Sequence, residues 1–363
     1  MLGLLICVSS FLALFFTLEV IGRSLFNSAS LRPTLHRGVA ATLRLMDHDI
    51  WRENAQYESN PYSLYWNKSN AQVNGVRTTC SLGYRWHGRE ISESAPDYRI
   101  LVLGGSTTFS NYCFQDYRDS WCYQLELLLR SEFPESSIEV INAGLNYGMS
   151  SELLSHFMFK GQFLKPNLVI LHGPGNDSLP ASLGDYSTDY SKTRDFVYHT
   201  RRPMEKVLLS KSGLLRCLYA IWLNAPHYAK LEPIEFPNNE LQETNLNNCQ
   251  GETFMNNLNS FINLCVEKEI TFAYLPFLYS SIDRMTKFHG NLSKALCEFE
   301  ARLTFKARMR IKHLNSKEVN FFECPDSDFS DEDFYDSCHL IQTGEKKKAE
   351  IVAQQVINLL VRK

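Results

Sequence analysis

The feature that most constrains the fold is a regular alternation of short apolar runs and helical periods that begins at Tyr98. The apolar runs are rich in Val, Ile and Phe, which is typical of strands buried on both faces of a sheet. They are Ile100–Leu103, Ile138–Ile141, Leu168–Leu171, Ile270–Leu275 and Val319–Phe322. Between and after them, apolar residues recur at helical spacing, which predicts helices over Trp121–Leu129, Leu153–Phe163, Phe254–Cys265, Leu292–Ile311 and Ile351–Leu360. Strand and helix in turn predict a three-layer α/β/α sandwich with a five-stranded, parallel, doubly wound sheet.

The first of these runs ends in a turn that carries a hydroxyl group. The run from Leu101 stops at Gly104, Gly105 and Ser106, and two glycines permit a sharp turn with the serine at its tip. Most serines in such positions only shape a turn. The nucleophile turn G-x-S-x-G is not matched, because Thr108 stands at its last glycine position. This mismatch argues against the α/β-hydrolase fold.

Three further polar segments follow in the chain. Asn142–Gly148 and Gly173–Asp177 each stand at the end of an apolar run, and Asp336 precedes His339 by three residues. The ligand crevice of an open α/β sheet lies at the carboxyl ends of its strands. A serine, a histidine with a carboxylate partner and suitable amide donors are what acyl transfer through a serine ester needs.

Taken in order, these segments resemble the sequence blocks of the SGNH (GDSL-type) hydrolase family. Arg99–Phe109 is similar to the first block, with glycine in place of the block's aspartate, and Ile141–Gly148 is similar to the second. Gly175–Asp177 resembles the third block, and Asp336-x-x-His339 resembles the fifth. The resemblance covers about residues 80 to 361, apart from an insertion.

The resemblance implies a role for each of these residues. Ser106 would be the nucleophile, His339 the general base, and Asp336 the group that orients the imidazole. The Ser106 amide, the Gly148 amide and the Asn176 side chain would form the oxyanion hole. Neither a metal ion nor a cofactor is expected.

Two positions depart from the family pattern. Pro174 stands where the third block usually has glycine, and the second block is one residue longer than usual. In the second block, Gly148 rather than Tyr147 is the expected donor. Upstream, Ser81–Arg85 also looks like a segment that precedes the domain in anchored members of the family.

The N-terminal segment predicts a membrane anchor. Glu19 is the first charged residue, and Leu2–Ile21 is just long enough to cross a bilayer if Glu19 lies at the interface. A cleaved signal peptide would have a basic start and an early small-residue site, whereas Ser28–Ser30 comes late. We expect an uncleaved anchor over residues 1–23, with a signal peptide and a buried core helix as the alternatives.

The sequence carries opposing signals about the side of the membrane on which the main domain lies. Arg23, Arg32 and Arg37 follow the apolar segment and no basic residue precedes it, which would place the main domain in the cytoplasm. Ten cysteines suit an oxidising compartment, and many anchored or secreted relatives in the resembled family act outside the cytoplasm. The resemblance therefore favours an extracytoplasmic domain on a single-pass anchor.

We expect residues 24–96 to be a juxtamembrane segment that packs on the main domain at residues 97–363. The alternation is interrupted over about residues 178–250, directly after the third block. This insertion is placed either to roof the substrate crevice or to form a structural subdomain. Its tyrosines and arginines include Tyr186, Tyr190, Tyr198, Arg201 and Arg202.

The rest of the composition excludes several other functions. The net charge is −3, so nothing indicates a nucleic-acid partner. A zinc site built on C-x-x-C is excluded by the absence of that spacing. The acidic stretch Asp326–Asp336 lacks the glycine of a calcium loop, and His172 is either a site residue or a satisfied histidine at a strand end.

The cysteines near the candidate catalytic residues leave two readings open. If the domain is exported, Cys113–Cys122 and Cys324–Cys338 are candidate disulfides that would each close a loop beside those residues. Buried free thiols are the alternative.

Three functions remain open at this point. The first is a membrane-anchored serine esterase acting on an O-acyl ester of a carbohydrate or lipid. The second is an O-acyltransferase using the same serine, and the third is a non-catalytic binding module on the same fold. All positions of the catalytic triad are filled, which argues against the third.

Overall fold

The computed structural model describes residues 2–27, 56–60, 62–113, 115–173, 175–183, 188, 190, 212–215, 218 and 237–361. The chain divides into two compact units. The first combines residues 1–59 with 194–235, and the second combines residues 60–193 with 236–363.

The second unit is built on a parallel sheet of five strands. The strands are β1 (Tyr98–Gly104), β2 (Ile138–Gly144), β3 (Leu168–Gly173), β4 (Thr271–Pro276) and β5 (Val319–Phe321). Their order across the sheet is β2-β1-β3-β4-β5, and every neighbouring pair is parallel. The predicted fold class is therefore confirmed, and each predicted apolar run lies in or overlaps one strand.

Helices account for most of the remaining described chain. In chain order they are α1 (Leu2–Asn27), α2 (Ser106–Phe109), α3 (Trp121–Glu132), α4 (Ser150–Phe159), α5 (Ser178–Ser182), α6 (Asn239–Asn248), α7 (Glu252–Glu267), α8 (Ile282–His289), α9 (Leu292–Leu314) and α10 (Gln342–Val361). The helical periods predicted α3, α4, α7, α9 and α10. The short helices α2, α5 and α8 and the polar helix α6 were not predicted, because a short or polar helix has little apolar period to detect.

Helices cover both faces of the sheet. On one face, α3 and α10 pack against alternate strand residues such as Val102 and Ala273 in one apolar core. On the other face, Tyr274 of β4 packs edge-on against Phe254 of α7, and Phe157 of α4 stacks on Phe261 of α7. Successive strand residues point to opposite faces, so each strand contributes to both layers.

Residues 62–96 pack against β2 and the loop that follows it. The Asn67 side chain donates to the Gly144 carbonyl at 2.8 Å, and the Tyr65 hydroxyl donates to the Asn146 carbonyl at 2.7 Å. Short strands within this region are Leu64–Asn67, Gln72–Val73 and Val76–Arg77, and the strand Tyr57–Asn60 precedes it. Residues 62–96 of the expected juxtamembrane segment thus contact the edge of the sheet, while residues 28–55 lie outside the described residues.

The first unit contains α1 and, from its second stretch, the described residues 212–215 and 218. Within α1, Cys7–Ser24 is long and apolar enough to cross a membrane, with a mean hydropathy of 1.4 and 6% of its length buried. An anchor and a signal sequence share this length and composition. Glu19 accepts hydrogen bonds from the Ser212 hydroxyl and from the amides of Gly213 and Leu214.

The four cysteines considered for disulfides are free thiols. Cys113, Cys122 and Cys324 are buried and Cys338 is half-buried. The two bridges expected for an exported domain are therefore not formed, and the alternative of free thiols describes this structure. Burial raises the pKa of Cys113 to about 12, which makes that thiol unreactive.

Candidate active site

Ser106 follows β1 directly after two glycines, Gly104 and Gly105, whose positions leave little room for a side chain. Gly105 lies directly before α2 in an extended conformation, with φ −81° and ψ −154°. A Cβ atom on Gly104 would lie 2.0 Å from the Thr108 hydroxyl oxygen, and one on Gly105 would lie 2.8 Å from Nδ2 of Asn176. Both glycines are therefore required by close packing around the serine.

Ser106, His339 and Asp336 form a continuous chain of hydrogen bonds. His339 Nε2 lies 2.7 Å from Ser106 Oγ, and His339 Nδ1 lies 2.8 Å and 3.0 Å from the two Asp336 carboxylate oxygens. An ionised carboxylate only accepts hydrogen bonds, so Nδ1–H donates to Asp336 and Nε2 accepts from the serine hydroxyl. The structure thus brings together the three residues that the sequence singled out for the triad.

The loop that carries Asp336 and His339 is fixed by Arg284 of α8. The Arg284 guanidinium donates to the carbonyl oxygens of Phe334, Tyr335 and Asp336 at 2.7 Å, 2.8 Å and 3.0 Å. One side chain therefore satisfies three successive carbonyl groups, which holds the loop in place without regular secondary structure.

The hydrogen bonds between Asp336 and His339 shift the pKa values of both groups. Burial alone would raise the pKa of Asp336, but hydrogen bonds from His339 and from the amides of Cys338 and His339 lower it to about 2. Burial alone would lower the pKa of His339, whereas its hydrogen bonds to Asp336 and Cys338 raise it. The carboxylate is ionised, and the imidazole is more basic than that of a free histidine.

The expected oxyanion donors lie around Ser106. The Gly148 amide donates to the Leu145 carbonyl at 2.8 Å within the turn, where Tyr147 takes a left-handed φ of 57°, and its part in an oxyanion hole stays a prediction. Asn176 donates one N–H to the Gly148 carbonyl at 3.1 Å and has a second N–H to offer. The Ser106 amide stands at the first position of α2, where intrahelical acceptors are absent.

Asp177, the last residue of the third block, holds neighbouring segments together through hydrogen bonds to its carboxylate. It is buried and accepts hydrogen bonds from the Ser150 hydroxyl and amide at 2.5 Å and 2.9 Å, and from the Tyr190 hydroxyl at 2.7 Å. Burial raises the pKa of Asp177 to about 6. This carboxyl ties the end of β3 to the start of α4. The insertion residues Tyr186, Tyr198, Arg201 and Arg202 lie outside the described residues.

His172 lies in the core behind α2. Its Nδ1 is 2.7 Å from the Thr108 hydroxyl oxygen, and its Nε2 is 2.8 Å from Nζ of Lys348. Both His172 and Lys348 are almost completely buried. The structure therefore selects the satisfied strand-end histidine over the site residue, and it adds a buried lysine that the sequence did not single out.

Asp336, Cys338 and His339 are the one trio in the described part of the chain that could hold a metal ion, with ligand atoms within 4.8 Å of one another. Both ring nitrogens of His339 already form hydrogen bonds to Asp336 and Ser106. A metal bound there would have to displace one of these bonds, so the same atoms fit a hydrogen-bond chain better than a metal centre.

Comparison with known proteins gives matches among solved structures alone. No protein-family model and no curated protein matches the chain. It is similar to a putative lipolytic protein of the G-D-S-L family from Desulfitobacterium hafniense, with 14% identity and a TM-score of 0.39 over 71% of this chain and 99% of that one. A GDSL-like lipase from Bacteroides thetaiotaomicron is 11% identical, with a TM-score of 0.40 over 72% and 88% of the two chains. A variant of an acetyl xylan esterase from Geobacillus stearothermophilus is 11% identical, with a TM-score of 0.43 over 73% and 97%.

Proposed function

We propose that this protein is a serine esterase that hydrolyses an O-acyl ester of a carbohydrate or lipid through an acyl-serine intermediate. The observation that carries the proposal is the hydrogen-bond chain from Ser106 through His339 to Asp336, with heavy-atom distances of 2.7 Å and 2.8 Å. Its order and spacing are those of a nucleophile, a general base and an orienting carboxylate. The resemblance of the same segments to SGNH hydrolases supports the same chemistry.

In the first half of the reaction, Ser106 Oγ attacks the ester carbonyl carbon while its proton passes to Nε2 of His339. The carbonyl oxygen becomes an oxyanion, which the Ser106 amide and the second N–H of Asn176 would stabilise. The carbon–oxygen bond to the alcohol then breaks, and His339 gives its proton to the leaving oxygen. Asp336 stabilises the imidazolium that exists between these two proton transfers.

In the second half, water replaces the alcohol. The water oxygen attacks the acyl carbonyl carbon while its proton passes to Nε2 of His339. The bond between Ser106 Oγ and that carbon then breaks, His339 returns the proton to Ser106 Oγ, and the carboxylic acid leaves. An acyltransferase would use the same acyl-serine with a bound hydroxyl in place of water. Transfer would depend on an insertion that excludes water, and most of that insertion lies outside the described residues, so hydrolysis stays the proposal.

The test of this function is an esterase assay on esters of graded acyl length, with wild type and Ser106→Ala compared side by side. We expect wild type to turn over at least one chain length and Ser106→Ala to lose that activity while keeping its circular dichroism spectrum. Near-wild-type turnover by Ser106→Ala would overturn the proposal. Supplying a sugar acceptor and quantifying free acid against acylated sugar separates hydrolysis from transfer.

We also propose that α1 anchors the protein in a membrane as a single-pass helix. The apolar side chains of Phe11, Phe16 and Val20 are each more than 60% exposed, and a lipid phase would bury them. Full-length protein is then expected to stay with membranes after a carbonate wash. A variant that lacks residues 1–23 should be soluble and active, and release of the full-length protein by carbonate would contradict the anchor.

A further inference from the structure

Two exposed tyrosines lie beside the candidate general base. The Tyr112 hydroxyl hydrogen-bonds to Asp336, but the reaction described so far does not use either ring. Tyr112 and Tyr335 stack with ring centroids 3.9 Å apart and an interplanar angle of 20°. The Tyr112 ring also meets the His339 imidazole edge to face, with centroids 4.8 Å apart. Tyr112 is 42% exposed and Tyr335 is 57% exposed.

The pair is placed by the same segments that place the triad. Tyr112 lies in the turn that follows α2, six residues after Ser106, and Tyr335 directly precedes Asp336. Arg284 holds the Tyr335 carbonyl at 2.8 Å. The backbone positions of both tyrosines are therefore tied to the segments that carry the triad, while their rings face solvent. Exposed aromatic surface at a rigid site is typical of a ligand-binding surface.

The proposed reaction indicates which half of an ester lies here. His339 Nε2 must come within hydrogen-bond reach of the leaving oxygen in order to protonate it. The alcohol attached to that oxygen therefore extends past the groups that flank the imidazole. The carbonyl oxygen lies elsewhere, next to the Ser106 amide and Asn176. An aromatic pair in contact with His339 thus borders the alcohol half of the substrate rather than its acyl half.

Resting on the proposed esterase function, we propose that Tyr112 and Tyr335 form the alcohol-side subsite and that it takes a sugar ring. A tyrosine combines an apolar face with a polar hydroxyl, and this half-exposed pair offers both properties side by side. A pyranose has the matching chemistry, because its C–H groups form an apolar face and its hydroxyls lie around the rim. An alkyl alcohol would use the apolar face only. The subsite narrows the ester class from carbohydrate or lipid to carbohydrate.

The experiment compares two acetyl esters that form the same acetyl-serine. One is a mixture of mono-O-acetyl methyl glucopyranosides, and the other is ethyl acetate. For each, kcat/KM reports acylation, where the alcohol is present, and the rate of acid release from preformed acyl-enzyme reports deacylation, where the alcohol has left. The variants are Tyr335→Ala, Tyr112→Ala and Tyr335→Phe. The matched control is Tyr62→Ala, since Tyr62 is 50% exposed and stacks on Phe159 instead, at 4.5 Å.

We expect Tyr335→Ala to lower kcat/KM for the sugar ester about 5- to 10-fold, the size typical of one lost aromatic contact. Its activity on ethyl acetate and its deacylation rate should stay within about twofold of wild type, as should every rate of the Tyr62→Ala control. Because Tyr112 touches His339 and hydrogen-bonds to Asp336, Tyr112→Ala should lower activity on both esters, and more on the sugar ester. Tyr335→Phe keeps the ring and loses the hydroxyl, so its loss on the sugar ester should be smaller than that of Tyr335→Ala. Unchanged activity on ethyl acetate in Tyr335→Ala shows that the fold and the triad are intact.

Three results would overturn the subsite. An equal loss on both esters would mean that the pair only supports His339, and a loss confined to deacylation would place it on the acyl side. Wild type that hydrolyses ethyl acetate but not the sugar ester would exclude the sugar. Wild type that hydrolyses neither, nor any other ester, would instead refute the esterase function itself, so the two failures are distinguishable.

Discussion

Two histidines hydrogen-bond to the short helix α2 from opposite environments, and their difference shows how the fold separates reactivity from support. His339 reaches the Ser106 hydroxyl at 2.7 Å, and His172 reaches the Thr108 hydroxyl at the same distance. The partner beyond His339 is the Asp336 carboxylate, whereas the partner beyond His172 is the Lys348 amine. One imidazole therefore lies beside a negative charge and the other beside a positive charge, although their partners on α2 are only two residues apart.

The consequence appears in the two pKa values. Burial would lower the pKa of His339, but Asp336 raises it, so this imidazole readily takes a proton. Burial lowers the pKa of His172 well below the usual value, and Lys348 lowers it further. His172 is therefore neutral. Because the lysine can only donate, Nε2 of His172 accepts from it, and Nδ1–H donates to Thr108.

The largest effect is expected when a proposed catalytic residue, Ser106 or His339, is replaced. Ser106→Ala and His339→Ala should each lower kcat/KM for ester hydrolysis by at least about 10⁴-fold, since the triad acts as a unit. For the same reason the double variant should be no slower than either single one. Steady-state kinetics of both single variants and of the double variant, with a circular dichroism check of each, measures this. Additive losses would mean that Ser106 and His339 act independently.

The second test removes the charge that makes His339 basic. Asp336→Asn keeps the shape of the side chain and should lower kcat about 10³- to 10⁴-fold. General-base catalysis needs the neutral imidazole, so a raised pKa places the acid limb of the wild-type kcat/KM profile above the usual histidine value of about 6.5. In Asp336→Asn the limb should move to lower pH. A limb that stays in place would show that Asp336 does not set the basicity of His339.

A third, smaller effect is expected on the oxyanion side of Ser106. Asn176→Ala should lower kcat about 10²- to 10³-fold with little change in KM, because this donor acts mainly on the developing charge. The control is Asn146→Ala, in the neighbouring loop. A loss in KM alone would make Asn176 a binding residue rather than an oxyanion donor.

The sequence singled out the residues of the proposed catalytic triad but not the residues that support α2. The strands and the Ser106, Asp336 and His339 segments carry local patterns, such as an apolar run ending in glycines or a carboxylate three residues before a histidine. Lys348 follows two other lysines in a charged turn that resembles a solvated helix face, yet α10 turns this one toward the core. Only the packing of α10 on α3 decides that, and periodicity does not report it.

The same limit applies to two further features of the site. The Gly148 amide donates to the Leu145 carbonyl within its turn, and the glycines of a loop do not specify its hydrogen bonds. Tyr112 and Tyr335 come together from segments more than 200 residues apart in the chain, so no sequence window contains the pair.

The smallest expected effect on activity is on the supporting side, where Lys348→Met tests whether this network only holds α2. The variant removes the donor to His172 Nε2 and the amine 4.8 Å from the Trp121 ring, and it also removes the charge beside Glu345. A buried acceptor left without a partner typically costs about 1–3 kcal/mol. Relief of the desolvation that lowers the pKa of Lys348 offsets part of this. We therefore expect the free energy of unfolding to fall by about 1–2 kcal/mol.

The matched control is Lys347→Met on the same helix, whose amine is half-exposed and pairs with Asp333 at 2.6 Å. A half-exposed ion pair contributes about 0–1 kcal/mol, so this variant should be nearly neutral in chemical denaturation. In an NMR titration, Lys348→Met should raise the pKa of His172, because a neighbouring positive charge that disfavours its protonation is gone, while Lys347→Met should not change it. Activity of Lys348→Met should stay within about 10-fold of wild type at neutral pH. A much larger loss in folded protein would show that the buried histidine takes part in the chemistry, and the division between a reactive and a supporting side of α2 would then be wrong.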